Sequence, residues 1–302
     1  MEPFLTVYGH VAIDQILTVD EYPKPNTSID VLSKITKLGG TASNIAVNAA
    51  RLDVPTALSA FVGSDFPIEF RNLIEESGTD TEELVDMEGY ETSQAVVVND
   101  SHMVQKVLYY QGPQGSASKL GKVYTEKASK SKYVHLATGD PHYYLKFIPD
   151  IKAKKVLDPA QEIHRIWTSE LLRKAMESSD FLFCNEFEFE TAKKYLGAKS
   201  IKDIDLPLVV CTLGSRGSTA LIDGEVFDIP TVKADRVVDA TGAGDSYRAG
   251  FYAGLYRGYG VLESLIIGSA MSSFVVEVMG AMTARPSWDD VMARAEPYLK
   301  KI

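Results

Sequence analysis

Short runs of apolar, largely β-branched residues recur along the chain and alternate with stretches that have the hydrophobic period of a helix. Each run is hydrophobic at consecutive positions, which indicates a strand that is covered on both faces. We therefore predict a doubly wound α/β fold, with a mostly parallel sheet and helices on both faces. The predicted strands are residues 4–8, 56–62, 133–137, 155–157, 180–183 and 208–212, and the predicted helices are residues 41–52, 67–76, 168–177, 187–195, 243–256 and 261–277.

Two stretches, residues 13–35 and 94–110, interrupt this alternation. Their polar and apolar side chains alternate, as in strands with one exposed face. The first is broken by Tyr22-Pro-Lys-Pro-Asn26, and the second contains Asn99-Asp100-Ser101, which favours a hairpin turn. Together they predict a small β-sheet that forms a lid on a single domain of residues 1–302. Two immobile edge hairpins would produce the same pattern.

Composition excludes several classes of protein. The 302 residues are 45% hydrophobic and 24% charged, which is enough apolar surface for a large core. The 31 basic residues against 41 acidic ones give a net charge of −10 with no basic run, so we expect no nucleic-acid partner. No signal peptide and no membrane-spanning stretch is present, so we expect a cytoplasmic protein without a membrane partner. Cys184 and Cys211 lie in apolar runs typical of buried thiols.

The segment VDATGAGDS at residues 238–246 leads directly into a predicted helix. Two glycines at a helix start let backbone N–H groups approach a bound anion, and the helix dipole favours negative charge there. Asp245 falls in the first helical turn. It would serve there as a helix cap, but beside a phosphate a carboxylate can also take the proton of an attacking hydroxyl.

Other motifs that bind nucleotides or metals are missing or incomplete. The position that would hold the third glycine of a dinucleotide fingerprint is Tyr247. The chain contains no G-x-x-x-x-G-K-[ST], G-x-S-x-G, H-E-x-x-H or paired C-x-x-C motif. These observations disfavour a P-loop kinase, a nicotinamide-dependent oxidoreductase, a serine hydrolase and a zinc enzyme.

Two motifs about 200 residues apart resemble the signatures of the ribokinase-like (PfkB) carbohydrate and nucleoside kinases, including the archaeal members. The C-terminal signature D-T-x-G-A-G-D stands here as Asp239-Ala-Thr-Gly-Ala-Gly-Asp245, with Ala240 in place of the usual threonine. The N-terminal signature is matched by Gly39-Gly40-Thr-Ala-Ser-Asn44-Ile-Ala46. The resemblance implies the ribokinase-like fold and transfer of the γ-phosphoryl group of ATP to a primary hydroxyl.

The resemblance also implies roles for individual residues. Asp245 would be the catalytic base, and the backbone of Gly242, Ala243 and Gly244 would surround the transferred group. The acceptor-binding residues would be Asp14, Gly39, Gly40 and Asn44, the nucleotide-binding residues would be Asn185, Thr212, Gly214 and Gly217, and Glu188 would organise Mg²⁺ through water. From the residues alone, Glu188 would fit a solvated helix face, and Asp14 and Asn44 would fit a turn and a helix N-terminus.

The acceptor is less constrained. Many sugar kinases of the family have D-x-N-x-R where this chain has Asp158-Pro-Ala160-Gln-Glu-Ile-His164-Arg165. His102, Tyr109 and Tyr110 can stack on a nucleobase, which slightly favours a nucleoside over a simple sugar. A phosphorylated sugar would need positive charge near the lid, for which Lys106 and Arg165 are the candidates.

Two further alternatives stay open at this stage. The chain would be a catalytically silent sugar-binding relative if Asp245 and Glu188 had no chemical role, but pure binding needs neither a base nor a metal organiser. The exposed edge of the lid would allow two copies to pair as a homodimer, because exposed β-edges invite strand addition. A monomer with a covered edge fits the sequence equally well.

Overall fold

The computed structural model of the chain describes residues 2–102 and 104–301. The strands are β1 (Leu5–Tyr8), β2 (Ala12–Thr18), β3 (Ser33–Gly39), β4 (Thr56–Gly63), β5 (Asp80–Met87), β6 (Ser93–Asn99), β7 (Gln105–Tyr110), β8 (Tyr133–Leu136), β9 (Lys154–Leu157), β10 (Phe181–Asn185), β11 (Leu208–Thr212), β12 (Ser218–Ile222) and β13 (Glu225–Ile229). The α-helices are α1 (Thr41–Arg51), α2 (Ile68–Glu76), α3 (Glu126–Lys130), α4 (Pro141–Tyr144), α5 (Ser169–Glu177), α6 (Glu186–Leu196), α7 (Ala243–Tyr256), α8 (Val261–Val275) and α9 (Trp288–Leu299).

The larger sheet contains nine strands in the order β13-β12-β11-β10-β9-β8-β1-β4-β5. Adjacent strands from β11 to β5 are parallel, and the β11–β12–β13 meander adds two antiparallel strands at one edge. Every strand and helix predicted from the apolar runs is present. The prediction missed β5, whose charged residues hide the apolar ones, the meander strands β12 and β13, the short helices α3 and α4, and α9.

Helices cover both faces of this sheet, so the predicted doubly wound fold is confirmed. One core cluster contains Val7 of β1 and joins it to α1, α7 and α8, and the other contains Tyr8 and joins it to α4, α5 and α6. Neighbouring residues of a strand point to opposite faces, and this is why Val7 and Tyr8 fall in different clusters. Helix α8 is buried on nearly all sides because it packs between α7 and α9.

The second sheet has four strands in the order β3-β2-β6-β7. The β2–β3 and β6–β7 pairs are antiparallel, and the β2–β6 pair is parallel. The predicted small sheet is therefore present, and we call it the lid sheet. Its β6–β7 turn is held by Asp100, whose carboxylate accepts from the backbone N–H groups of His102 and Val104. Met103, which falls within the predicted 94–110 stretch, lies outside the described residues.

The carboxyl ends of the parallel strands meet at one edge of the larger sheet, where α/β proteins bind ligands. Asp158 follows β9, while Asn185 and Thr212 end β10 and β11. Cys184 and Cys211 lie opposite each other just before that edge and are free, buried thiols, as predicted. Among the helices described, none is both long and apolar enough to cross a membrane.

Candidate active site

The start of α7 provides the predicted anion-binding turn. Gly242 caps the helix with a φ of 74°, and a Cβ added there would lie 2.2 Å from the Ala281 Cβ, so only glycine fits. The N–H of Ala243 donates to the Ala240 carbonyl at 3.2 Å. In the described part of the chain no acceptor takes the N–H groups of Gly242 and Gly244. These two amides, rather than all three predicted ones, are therefore free to bind an anion.

Contacts on both sides hold this turn in place. The Asp239 carboxylate accepts from the N–H groups of Thr241 at 2.9 Å and Gly280 at 2.8 Å. The Ala243 carbonyl accepts from the hydroxyls of Ser246, at 2.9 Å, and Ser272. The turn is therefore anchored to α8 and to the segment that follows it.

Asp245 joins the two signature motifs. Asn44 Nδ2, in the first turn of α1, donates to Asp245 Oδ2 at 2.7 Å, although the two residues are 201 positions apart. Burial raises the pKa of Asp245 to about 6, although the Asn44 hydrogen bond and Arg248 lower it. The carboxylate is thus ionised at neutral pH and more basic than an ordinary aspartate. Asn44 Oδ1 is buried and has no partner among the described residues.

Asp14 lies on the face of the lid sheet that meets α1. A Cβ on Gly39 would fall 2.0 Å from Asp14 Oδ2, and one on Gly40, whose φ is 97°, would fall 2.3 Å from the His10 carbonyl. The glycine pair therefore lets the helix start approach Asp14 closely. Burial raises the pKa of Asp14 to about 7, and the charge of Asp245 adds to this rise, so both carboxylates lie in one cleft.

A cavity of about 430 Å³ lies on the other side of the α7 start. Its walls include Thr212, Gly214 and Gly217 of the β11–β12 turn, together with Ala243 and Gly244. Gly217 has a φ of 88°, and a Cβ there would lie 2.1 Å from the Ile229 carbonyl. The predicted nucleotide turn and the predicted anion-binding turn thus border the same cavity.

Asn185 and Glu188 form a capping box at the start of α6. The Asn185 side chain accepts from the N–H groups of Phe187 and Glu188 at 2.9 Å, and both Glu188 oxygens accept from Asn185 at 2.7 Å. Glu188 is only 6% exposed, which excludes the solvated-face alternative. Burial and the nearby Asp158 raise its pKa to about 7.

In the chain as described, no three His, Cys, Asp or Glu side chains are grouped so as to hold a metal ion. Magnesium in phosphotransferases usually keeps several waters and takes only one or two protein carboxylates besides the substrate phosphates. A single buried acid whose proton affinity is raised, such as Glu188, fits that mode of binding.

The sequence analysis missed the residue that lies beneath the α7 start. Arg248 is buried and forms an ion pair with Asp158. Burial opposes ionisation of Asp158, but Arg248 and His135 outweigh it and lower its pKa to about 2. Asp158 is therefore paired within the protein, and the D-x-N-x-R pattern departs at Ala160 and Glu162 instead. An arginine directly before the apolar residues Ala249, Gly250 and Phe251 was the available signal.

One of the three candidate aromatic residues faces the cleft. Tyr109 stands edge-on to His10, with ring centroids 5.4 Å apart, and burial together with the Asp14 charge raises its pKa. Tyr110 lies on the opposite face of the lid sheet and is 50% exposed, because side chains alternate along a strand. His102 lies in the β6–β7 turn. Of the two tyrosines, only Tyr109 therefore lies on the face of the lid sheet that carries Asp14.

The two candidate cations for a phosphorylated acceptor are already engaged. Lys106 lies over the Tyr22 ring, 4.0 Å from its centroid, on the face of the lid sheet opposite to Asp14. Arg165 donates to both oxygens of Glu162 at 2.7 Å. Neither supplies a free positive charge to the cleft.

Comparisons with known proteins agree with this geometry. Residues 2–288 match the family described as pfkB family carbohydrate kinase. The chain is 34% identical to a nucleoside kinase of Methanocaldococcus jannaschii over 97% of each protein, and 33% identical to one of Methanothermobacter thermautotrophicus over 96% of this chain and 94% of that protein. The crystal structure of the Methanocaldococcus enzyme superposes with a TM-score of 0.91, covering 98% of this chain and 99% of that one. The chain therefore belongs to the pfkB family of carbohydrate kinases, as its two motifs predicted.

Proposed function

We propose that this kinase transfers the γ-phosphoryl group of ATP to a primary hydroxyl of a nucleoside, with Asp245 as the general base. The observation that carries the proposal is the 2.7 Å hydrogen bond between Asn44 and Asp245. This bond supports the proposal because it joins Asp245 to the acceptor cleft, which contains Asp14, while the neighbouring Ala243 and Gly244 line the 430 Å³ cavity, which suits a nucleotide.

The proposed reaction needs little motion of the catalytic groups. The acceptor hydroxyl gives its proton to Asp245 as its oxygen attacks the γ-phosphorus in line with the departing ADP oxygen. The free N–H groups of Gly242 and Gly244 then stabilise the charge on the transferred group. A base with a pKa of about 6 is ionised at neutral pH and still accepts a proton readily.

The donor site supports ATP with magnesium. Thr212, Gly214 and Gly217 would border the nucleotide, and Asn185 would act mainly by fixing Glu188 through the capping box. Glu188 would hold Mg²⁺ through water, and the ion, when bound, neutralises phosphate charge. Gly39 and Gly40 would bring the acceptor close to Asp14 and Asn44, whose unpartnered Oδ1 can accept from a substrate hydroxyl.

Three observations favour a nucleoside over the other acceptors. The two archaeal relatives are nucleoside kinases. Tyr109 offers an aromatic ring on the same face of the lid sheet as Asp14. The engagement of Lys106 and Arg165 removes the two cations that the sequence offered for a phosphorylated sugar.

The remaining predictions concern assembly and motion. We propose that residues 1–302 act as one domain whose lid sheet closes over the acceptor and excludes water. The edges of that sheet are β3 and β7, so a homodimer through the lid edge is proposed at one of them. A cytoplasmic location stays a prediction.

A coupled assay tests the proposed function. Purified protein with ATP and Mg²⁺ is offered purine and pyrimidine nucleosides, free ribose, and fructose 6-phosphate. We expect the largest kcat/KM for a nucleoside. Faster turnover of ribose or of the sugar phosphate would contradict the acceptor proposal, and equal turnover by a folded Asp245→Asn variant would contradict the role of the base.

A further inference from the structure

A single arginine lies directly beneath the α7 start. Arg248 follows Asp245 by three residues and is 5% exposed. Its Nε donates to Asp158 Oδ2, its Nη2 donates to Asp158 Oδ1 at 3.1 Å, and its Nη1 donates to the Gly244 carbonyl at 3.0 Å. One side chain thus ties the end of β9 to the peptide group that joins Gly244 to Asp245.

A second layer of contacts fixes Asp158. His135 Nε2 lies 3.2 Å from Asp158 Oδ2, and His135 Nδ1 lies 2.7 Å from the Tyr252 hydroxyl. Because a carboxylate only accepts, Nε2 carries the proton and Nδ1 accepts from Tyr252. Burial lowers the pKa of His135, which keeps the ring neutral in this arrangement. The ion pair is therefore held from β8, β9 and α7 together.

The two members of this pair act in opposite directions on the base. The Arg248 charge lowers the pKa of Asp245, whereas the Asp158 charge raises it. The other groups that face Asp245 are Asn44, which donates to it, Asp14 across the cleft, and Glu188, whose pKa the Asp245 charge raises. Arg248 also interacts with Glu188, so one guanidinium faces Asp158, Asp245 and Glu188.

We propose that Arg248 is a positioning residue for phosphoryl transfer: it fixes the first turn of α7 through Gly244 and holds its positive charge beneath the turn that carries Asp245. Asp158 and His135 hold Arg248 in place. This inference rests on the proposed function of Asp245 as the base, but it does not depend on which acceptor is used. If the ion pair only stabilised the fold, removing either of its charges would not shift the pKa of Asp245 in a defined direction.

The test compares the pH dependence of kcat in Arg248→Gln and Asp158→Asn. The acceptor and ATP with Mg²⁺ are saturating, because a bound acceptor then covers Asp14, bound Mg²⁺ keeps Glu188 ionised, and the acid limb of the kcat profile reports Asp245. We expect the limb to move by about one pH unit to higher pH in Arg248→Gln, and to lower pH in Asp158→Asn. Arg248→Gln should also lower kcat by about tenfold to a hundredfold through lost positioning. Limbs that move in the same direction, or not at all, would overturn the proposal.

Two further variants separate position from charge. Arg248→Lys keeps the charge but loses the forked contact, so we expect a lower kcat with an unmoved limb. The double variant Asp158→Asn/Arg248→Gln removes both charges and avoids an unpaired buried ion if the single variants fold poorly. A folded double variant whose kcat is within twofold of the wild type would also overturn the proposal.

Arg257 at the other end of α7 offers a matched control. It donates to the Leu52 carbonyl at 2.8 Å and to Asp53 at 3.3 Å, far along the helix from Asp245. Arg257→Gln should lower the melting temperature without changing kcat or the acid limb. If the wild type phosphorylates a sugar instead of a nucleoside, the acceptor proposal fails and this comparison is carried out with the sugar.

Discussion

The cleft is lined by two regions that are built differently. At the α7 start the polar groups are hydrogen-bonded to one another. Asn44 donates to Asp245, and Arg248 donates to both Asp158 and the Gly244 carbonyl. The lid sheet instead presents Asp14 and Tyr109 on one face, and its other face is exposed, with Leu108 at 70%. The difference fits our proposal that the groups on the larger sheet carry out the chemistry, while one packed face of the lid sheet recognises the acceptor.

Removing the proposed base is the strongest test of this split between chemistry on the larger sheet and recognition by the lid sheet. Asp245→Asn keeps the shape and the Asn44 contact but cannot accept a proton, so we expect kcat to fall by about 10³-fold. Initial rates with saturating ATP and acceptor measure this effect, and KM for the acceptor should change little. A large rise in KM with little loss of kcat would instead place Asp245 in binding.

The second largest loss of kcat is expected from a change in the anion-binding turn. In Gly242→Ala the added Cβ would meet Ala281 at 2.2 Å and force the turn to move, so we expect kcat to fall by about 10²-fold, the effect of losing one donor. Gly258→Ala is the matched control, because Gly258 has a φ of 87° and no atom within 4 Å of the added Cβ. The control should lower stability by about 1–2 kcal/mol and leave kcat unchanged. Equal kinetic losses in both variants would contradict the turn's role.

Substitution on the lid sheet should affect binding more than chemistry. We expect Asp14→Asn to raise KM for the acceptor by about tenfold to a hundredfold, because a hydrogen bond to a charged group contributes about 1.5–3 kcal/mol. The kcat should fall by a smaller factor. Saturation curves at fixed ATP measure both constants, and an unchanged KM would show that the lid sheet does not recognise the acceptor.

The buried acids of the cleft also predict how stability depends on pH. The pKa values of Asp14, Asp245 and Glu188 are raised to about 7, 6 and 7, so each group favours the folded state when it is protonated. Their contribution to the free energy of unfolding is complete below about pH 4 and is lost as the pH rises through 6 to 7. The pKa of Asp158 is lowered to about 2, so its contribution is lost only in stronger acid.

We therefore expect the melting temperature of the ligand-free protein to fall by about 5 °C between pH 5 and pH 8. Thermal unfolding followed by circular dichroism at a series of pH values measures the slope, and Asp14→Asn should reduce it. A melting temperature that rises over this interval would contradict the assignment of raised pKa values to these acids.

The smallest effect is expected on the outer face of the lid sheet. Leu108→Ser should change the free energy of unfolding by less than about 0.5 kcal/mol and kcat/KM by less than about twofold. Rate measurements, with light scattering to follow the oligomeric state, provide the test. A large loss of activity would show that the outer face takes part in acceptor binding or in a subunit interface.

Local sequence patterns predicted most of the fold because consecutive apolar residues, as in β4, mark a strand with two covered faces. They failed for β5, where the charged residues Asp80, Glu82 and Glu83 obscure the pattern although Leu84 is buried. The two signature motifs assigned Asn44 and Asp245 to one site. They missed the Arg248–Asp158 pair, because a contact between distant residues leaves no local periodicity.

The bond between Asn44 and Asp245 also has a consequence for biosynthesis. The two side chains are separated by 201 positions, so during translation Asn44 emerges long before its partner has been made. If Asp245 is the base, as we propose, a nascent chain that already contains β1, α1 and the lid strands still has no base beside its acceptor cleft. Turnover of ATP would then begin only after α7, which carries Asp245, has been made and has packed against α1.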